Sequence, residues 1–307
     1  ALNVVDRQII ERVAGALATN EGVIEKDWQV VRALGVLAAL EYPDAIPVFS
    51  GGTSLSKGWG LIKRFSEDID FKVAMAQAAS GAEGRKRRRA FRELVLEALT
   101  ANDFDLADDP LIGNQSQFFA ASLAYKSHFP AGRGLRPHIR IEMSFHNPAL
   151  PPINRSLQSL IAQAQKQLPE VSSFPCINPV ETAADKLSAL AWRVCTRQRG
   201  SENDDPAVIR HLYDLAALEG HIAQAPEFSD LVHQIMAKDA DRGGMTTSLD
   251  SAARFATMLD CLSNDKLWAS EYETYVLQVS FAGPEERISF SQAVEAARHL
   301  IATVCKE

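Results

Sequence analysis

The sequence predicts a mixed α/β fold in its first half and a mainly helical second half. Three observations lead there. The segments Asp68–Val73 and His138–Phe145 alternate polar and apolar residues, the period of a half-buried strand. Other segments repeat apolar residues every three or four positions, the period of an amphipathic helix. The character changes at Pro148-Ala149-Leu150-Pro151-Pro152, after which helical spacing dominates. The expected division is an α/β domain at 1–150 and a mainly helical domain at 151–307.

In chain order, Val4, Val5, Ile9, Ile10, Val13 and Leu17 place a helix at 4–19. A second helix is expected from Asp27, as N-cap, to Leu40. Ile46–Ser50 is a short apolar run that stops at Gly51-Gly52, a strand closed by a turn. A short helix is expected at Thr53–Gly58 and a longer one at 83–100, basic at its start and apolar at Phe91, Leu94, Val95 and Ala98. Phe118–Tyr125 and His138–Phe145 are expected strands, the latter with Ile139, Ile141 and Met143 on one face and Arg140, Glu142 and Ser144 on the other. A short strand at Phe174–Ile177 precedes a helix at Val180–Arg197 with Leu187, Leu190, Ala191 and Val194 as its core stripe. Asp205-Pro206 suits the start of the next helix. Further helices are expected near 226–238, 247–262, 265–280 and 289–304.

Composition narrows the class. A chain of 307 residues with 46% hydrophobic and 23% charged residues can bury a core without staples. The net charge of −7 argues against non-specific coating of nucleic acid, while a local basic groove remains compatible with it. Cys176, Cys195, Cys261 and Cys305 form no CxxC pair; they read as packing residues of a reducing compartment, and no zinc ribbon is expected. Ala1–Arg7 shows no basic-then-apolar leader, and Ala33–Leu40 is too short for a membrane span, so a cytoplasmic protein without a membrane partner is expected.

The chemistry concentrates in two stretches. Phe49-Ser50-Gly51-Gly52-Thr53-Ser54-Leu55-Ser56-Lys57 runs from a strand through two glycines and hydroxyl residues into a helix start. Glycines admit a ligand close to the backbone, and N–H groups at a helix start attract anions. The same pattern also serves as an ordinary strand-to-helix turn. In Arg64-Phe65-Ser66-Glu67-Asp68-Ile69-Asp70-Phe71, Asp68 and Asp70 share one strand face, opposite Ile69, Phe71 and Val73. Paired carboxylates repel unless a hard cation such as Mg²⁺ or Mn²⁺ lies between them; a solvated strand edge is the alternative. Glu142 offers a third carboxylate for a metal, or a salt bridge to Arg140.

Together these stretches resemble the AbiEii/AbiGii toxin family within the DNA polymerase β-like nucleotidyltransferases. Glu25-Lys26-Asp27-Trp28, Glu181–Ala189 around Lys186, and Arg210-His211-Leu212-Tyr213-Asp214-Leu215 resemble further segments of that family, so the likeness runs from 25 to 215. The resemblance implies a polymerase β-like nucleotidyltransferase core with a C-terminal helical domain that completes the site. It implies transfer of a nucleoside monophosphate from an NTP to a hydroxyl, with Mg²⁺ or Mn²⁺ on Asp68, Asp70 and Glu142. Gly51, Gly52, Thr53, Ser54, Lys57, Ser66 and Arg193 are then expected to bind the nucleotide, and Lys186 and Asp214 to act with the aspartates in catalysis. The family further implies a toxin with a cognate antitoxin in a toxin–antitoxin or phage-defence pair, with a tRNA 3′ end as the favoured acceptor.

Lys186, Arg193 and Arg197 make a basic ridge on one helix face, suited to a triphosphate or to solvent. Arg210 and Asp214 are spaced for a salt bridge. Arg85-Lys86-Arg87-Arg88-Arg89 is either an RNA-contacting surface or a solvated helix face. A small-molecule or protein acceptor, and a non-catalytic nucleotide-binding module, are the rival readings.

Overall fold

The computed structural model describes residues 5–75, 81–131, 135–202, 204–241 and 250–305. They fall into two compact units, one made of the described residues of Ala1–Gly60 and Phe65–Ile177, the other of Leu61–Arg64 and Asn178–Glu307.

The first unit begins with helices α1 (Arg7–Ala16) and α2 (Glu21–Ala38). Asp6 accepts the Gln8 N–H and Asn20 the Gly22 N–H, so side-chain caps start both. α2 therefore opens six residues before the expected Asp27 cap, and Asp27 sits buried inside it. The chain continues through β1 (Ala45–Ser50), α3 (Gly51–Lys57), β2 (Asp68–Met75), α4 (Gly81–Thr100), β3 (Asp105–Leu106), β4 (Leu111–Gly113), β5 (Phe118–Ala124), β6 (Ile139–Ser144), β7 (Ile153–Leu157), α5 (Leu160–Ala164) and β8 (Val171–Cys176).

The described strands make one mixed sheet in the order β3-β5-β6-β2-β1-β8-β7, with β4 also on β5. β2 pairs parallel with β6 and β1 parallel with β8; the other pairs are antiparallel. The sheet unit extends past the proline-rich stretch to Ile177 rather than ending at 150, because β7 and β8 pair onto its β1 edge. Sequence patterning missed β7: four of its five residues are exposed, so it lacks the alternation of a half-buried strand.

The core lies on one face. Val30, Val31, Leu34 and Leu37 of α2 pack with Phe49, Phe71 and Phe174 from three adjacent strands. The Phe71 ring centroid is 5.9 Å from Phe49 and 5.8 Å from Phe174. Each buried ring contributes roughly 1.5–3 kcal/mol. A one-residue slip of β2 would expel Ile69, Phe71 and Val73, so this burial fixes which face carries the aspartates.

In the second unit, α6 (Pro179–Thr196) is capped by Asn178 with Pro179 in its first turn. Asp205 caps a short 3₁₀ turn, Pro206–Ile209, that leads into α7 (Arg210–Ile222). α8 (Glu227–Asp241), α9 (Ser251–Asn264), α10 (Leu267–Tyr275) and α11 (Phe290–Val304) follow. The expected helix at 247–262 begins at Ser251; its first residues, 247–249, lie outside the described residues. Segment Leu61–Arg64 is held within this unit: the Phe281 N–H donates to the Lys63 carbonyl at 2.9 Å, and Arg64 bridges Ser280. No helix among the described residues is long and apolar enough to cross a membrane. All four cysteines are free thiols.

Candidate active site

The turn from β1 into α3 sets the first geometry. Gly51 has φ +72°, a left-handed conformation that favours glycine. A Cβ there would stand 1.9 Å from Asp70 Oδ2, so no larger residue shares this position with the Asp70 carboxylate. Ser50 lies opposite Asp70 in the β1–β2 register and gives α3 no side-chain cap. The Thr53 hydroxyl donates to the Asp68 carbonyl, tying α3 to the start of β2. Thr53 and Ser54 are fully buried. Lys57, expected to meet a triphosphate, is buried in an ion pair with Asp27. Asp27 also accepts the Leu160 N–H at 2.7 Å. Ser66 is half-buried just before Glu67.

β2 carries Asp68 and Asp70 on its half-exposed face and Ile69 and Phe71 inward, as the alternation predicts. In the parallel β2–β6 register Asp68 faces Arg140 and Asp70 faces Glu142, so the three carboxylates share one face. They do not converge into a ready cage: no group of three carboxylate, imidazole or thiol side chains able to hold a metal occurs among the described residues. Glu142 is tied to Arg140 at 2.5 Å, the salt bridge that its sequence spacing allows. Asp68 receives both ends of the Arg136 guanidinium, at 2.9 and 3.2 Å. Burial pushes the Asp68 carboxyl above the usual carboxylate range; Arg136 opposes the rise, while Glu67 and Glu142 add to it. Hard oxygen donors on a carboxylate-bearing strand suit Mg²⁺ or Mn²⁺, and the space kept clear at Gly51 leaves the Asp70 carboxylate in place.

Behind this face lies a charged triplet that sequence reasoning recognised only as a motif. Glu25, Lys26 and Asp27 are all buried on α2. Glu25 accepts from the N–H groups of His128 and Phe129 and from the Ser127 hydroxyl. Lys26 pairs with Glu67 and donates to the Arg136 carbonyl at 2.8 Å. Burial pushes the Lys26 ammonium down and Glu67 opposes it. Three consecutive charges set between the apolar pairs Val23-Ile24 and Val30-Val31 were the available signal, since charges buried among such neighbours need partners.

The helical unit holds a second cluster. Asp214 on α7 is fully buried; its Oδ1 accepts Arg64 Nε at 2.7 Å, and its Oδ2 accepts Arg64 Nη2 at 2.6 Å and Lys186 Nζ at 2.8 Å. Burial alone would push the Asp214 carboxyl up; Arg64 and Lys186 overcome it and hold the group well below the usual range. Lys186 and Asp214, both expected among the catalytic residues, pair with each other. Arg64 was missed because 150 positions separate it from Asp214. Arg210, spaced for a salt bridge to Asp214, donates its Nε–H to the Tyr275 carbonyl at 3.0 Å. His211 lies beside this cluster, where burial and then Lys186 push its imidazole well below 6.5. Arg193 pairs with Asp205 at 3.0 Å.

The basic run lies on α4. Arg87 pairs with Glu83 and Arg89 with Glu93, each one turn away, while Arg85 and Lys86 are exposed.

The mixed sheet, the Gly-Gly turn into a helix and the neighbouring strand bearing Asp-x-Asp fit the nucleotidyltransferase class that the sequence resembles. The family described as "Nucleotidyl transferase AbiEii toxin, Type IV TA system" matches residues 32–296, and the chain belongs to it. The protein is thus a nucleotidyltransferase toxin of the type IV toxin–antitoxin kind. Its fold is similar to that of MenT4, nucleotidyltransferase toxin Rv2826c from Mycobacterium tuberculosis H37Rv, with 17% sequence identity and a TM-score of 0.55 over 98% of this chain and 99% of that one. No curated protein sequence matches the chain.

Proposed function

We propose that the chain transfers a nucleoside monophosphate from an NTP to the hydroxyl at a tRNA 3′ end, releasing pyrophosphate. The observation that carries this reading is the Asp68–Asp70 pair, both on the half-exposed face of β2, with Gly51 leaving room for Asp70. Asp68 and Asp70 would hold a divalent metal together with phosphate oxygens of the nucleotide, and Glu142 would add negative field beside Asp70. When bound, such a metal lowers the pKa of an acceptor hydroxyl and offsets charge on the triphosphate. The Gly51-Gly52 turn into α3, without side chains at its two glycines, would let a phosphate approach the backbone. Within the helical unit, the Arg64–Asp214–Lys186 cluster carries one positive charge in excess, a field suited to an anionic group such as a triphosphate. Asp214 holds the Lys186 ammonium in a fixed place. A cognate antitoxin is the partner that the family implies.

The test is incubation with each labelled NTP, Mg²⁺ and total RNA. Label should enter a tRNA-sized band, and Asp68→Asn or Asp70→Asn should abolish it. Transfer that survives either change would refute the metal assignment. A small acceptor is the second reading. It is favoured by the two ion pairs that already engage Arg87 and Arg89. An RNA acceptor predicts steep salt dependence of binding; a small acceptor predicts little.

A further inference from the structure

Arg136 is built as an arm on a fixed mount. Its N–H donates to Glu67 Oε2 at 3.1 Å, and its carbonyl accepts the Lys26 ammonium at 2.8 Å. Lys26 and Glu67 are themselves paired, with side chains only 1% and 5% exposed. A buried pair of this kind costs desolvation and is weak evidence for stability alone. Here it pins the backbone of one residue on both sides. The Arg136 side chain, by contrast, is 39% exposed and lies across Asp68, itself 30% exposed. Its fork engages both Asp68 oxygens, and a metal ligated by Asp68 needs at least one of them. Glu67 Oε1 stays 3.7 Å from Arg136 Nε, so a guanidinium that swings off Asp68 keeps a carboxylate neighbour. A guanidinium fork fits two oxygens of a polyphosphate as well as two of a carboxylate.

We propose that Arg136 is an exchangeable counter-ion that makes Asp68 select metal carried by a triphosphate over free metal. Free Mg²⁺ or Mn²⁺ must displace Arg136 from Asp68 and leave it facing another cation. Metal that arrives on a triphosphate brings anionic oxygens, to which the same fork transfers. This rests on the metal reading of Asp68 and adds a residue that neither the sequence motifs nor the family description assigns.

The experiment measures two dissociation constants by titration with Mn²⁺, followed by electron paramagnetic resonance. One is for Mn²⁺ alone, the other for Mn²⁺ with inorganic tripolyphosphate, which needs no choice of base. Arg136→Gln should tighten Mn²⁺ alone and weaken Mn²⁺–tripolyphosphate. Each change is expected at roughly three- to tenfold, the scale of a partly exposed ion pair worth about 1 kcal/mol. The ratio of the two constants should therefore fall by at least about tenfold. Arg136→Lys, which keeps the charge without the fork, should fall between. A purely structural role for Arg136 would move both constants the same way, so an unchanged ratio overturns the proposal while leaving metal binding intact. If the unaltered protein binds Mn²⁺ in neither form, or Asp68→Asn binds as well as the unaltered protein, the metal reading and this proposal fall together.

Discussion

Gly51→Ala isolates the contact on which the aspartate site depends. The new Cβ would stand 1.9 Å from Asp70 Oδ2, 2.8 Å from Cγ and 3.0 Å from Cβ. Ordinary contact begins near 3.4 Å, so the oxygen has to retreat by about 1.5 Å, the difference between 3.4 and 1.9 Å. Because Cγ and Cβ are also crowded, a small tilt is insufficient and the carboxylate must change rotamer. Backbone strain adds to this: alanine at φ +72° costs about 1–2 kcal/mol. The fold should absorb that loss, with a melting temperature lower by a few degrees. The chemistry should not absorb it, since a displacement of about 1 Å at a reacting centre can cost ~10²-fold in rate. Thermal unfolding, Mn²⁺–tripolyphosphate titration and labelled-NTP transfer on one preparation separate the two effects. A variant that loses the few degrees yet binds and transfers within twofold of the unaltered protein would show that Asp70 is not used where β2 holds it.

Other changes probe the rest of the molecule. Asp214→Asn removes the carboxylate from two buried cations and should cost about 3–5 kcal/mol in denaturant unfolding, whereas Lys186→Met, which leaves the Arg64 bonds, should cost about 1–3 kcal/mol; the reverse ranking would refute the charge accounting. Lys186→Ala should lower transfer by roughly 10²–10³, and a loss under tenfold would remove Lys186 from the reaction. Changing Arg87, Arg88 and Arg89 to Ala should flatten the salt dependence of RNA binding; an unaltered slope would make the run a solvated helix face. His299 contacts Glu219 and Glu295 at 2.9 and 3.1 Å, which raises its pKa above 6.5. The stability this contact gives is full below about pH 6.5 and is lost as pH rises through the higher folded value, so NMR titration should give a midpoint above 6.5 that falls in Glu219→Gln.

The local features were legible because each is written in a few adjacent residues. Alternation in Asp68–Val73 set the strand and its two faces, and Gly51-Gly52 marked the turn. The spacing of Lys186 and of Asp214 within their own helices, with the family likeness, marks both as site residues, whereas their contact with each other is a matter of packing. Sequence alone also allowed both readings of Glu142, and the Arg140 pair is the one seen. What it left hidden shares one physical cause. Ion pairs join residues by proximity, and proximity between distant positions is decided only when strands find their register and helices their packing. So Lys26 meets Glu67, Arg136 meets Asp68, Lys57 is taken by Asp27 rather than left for phosphate, and Arg64 reaches Asp214. The exposed β7 strand belongs to the sheet for the same reason: its backbone pairs with β8, and hydrogen bonds between backbones leave no mark in the order of side chains.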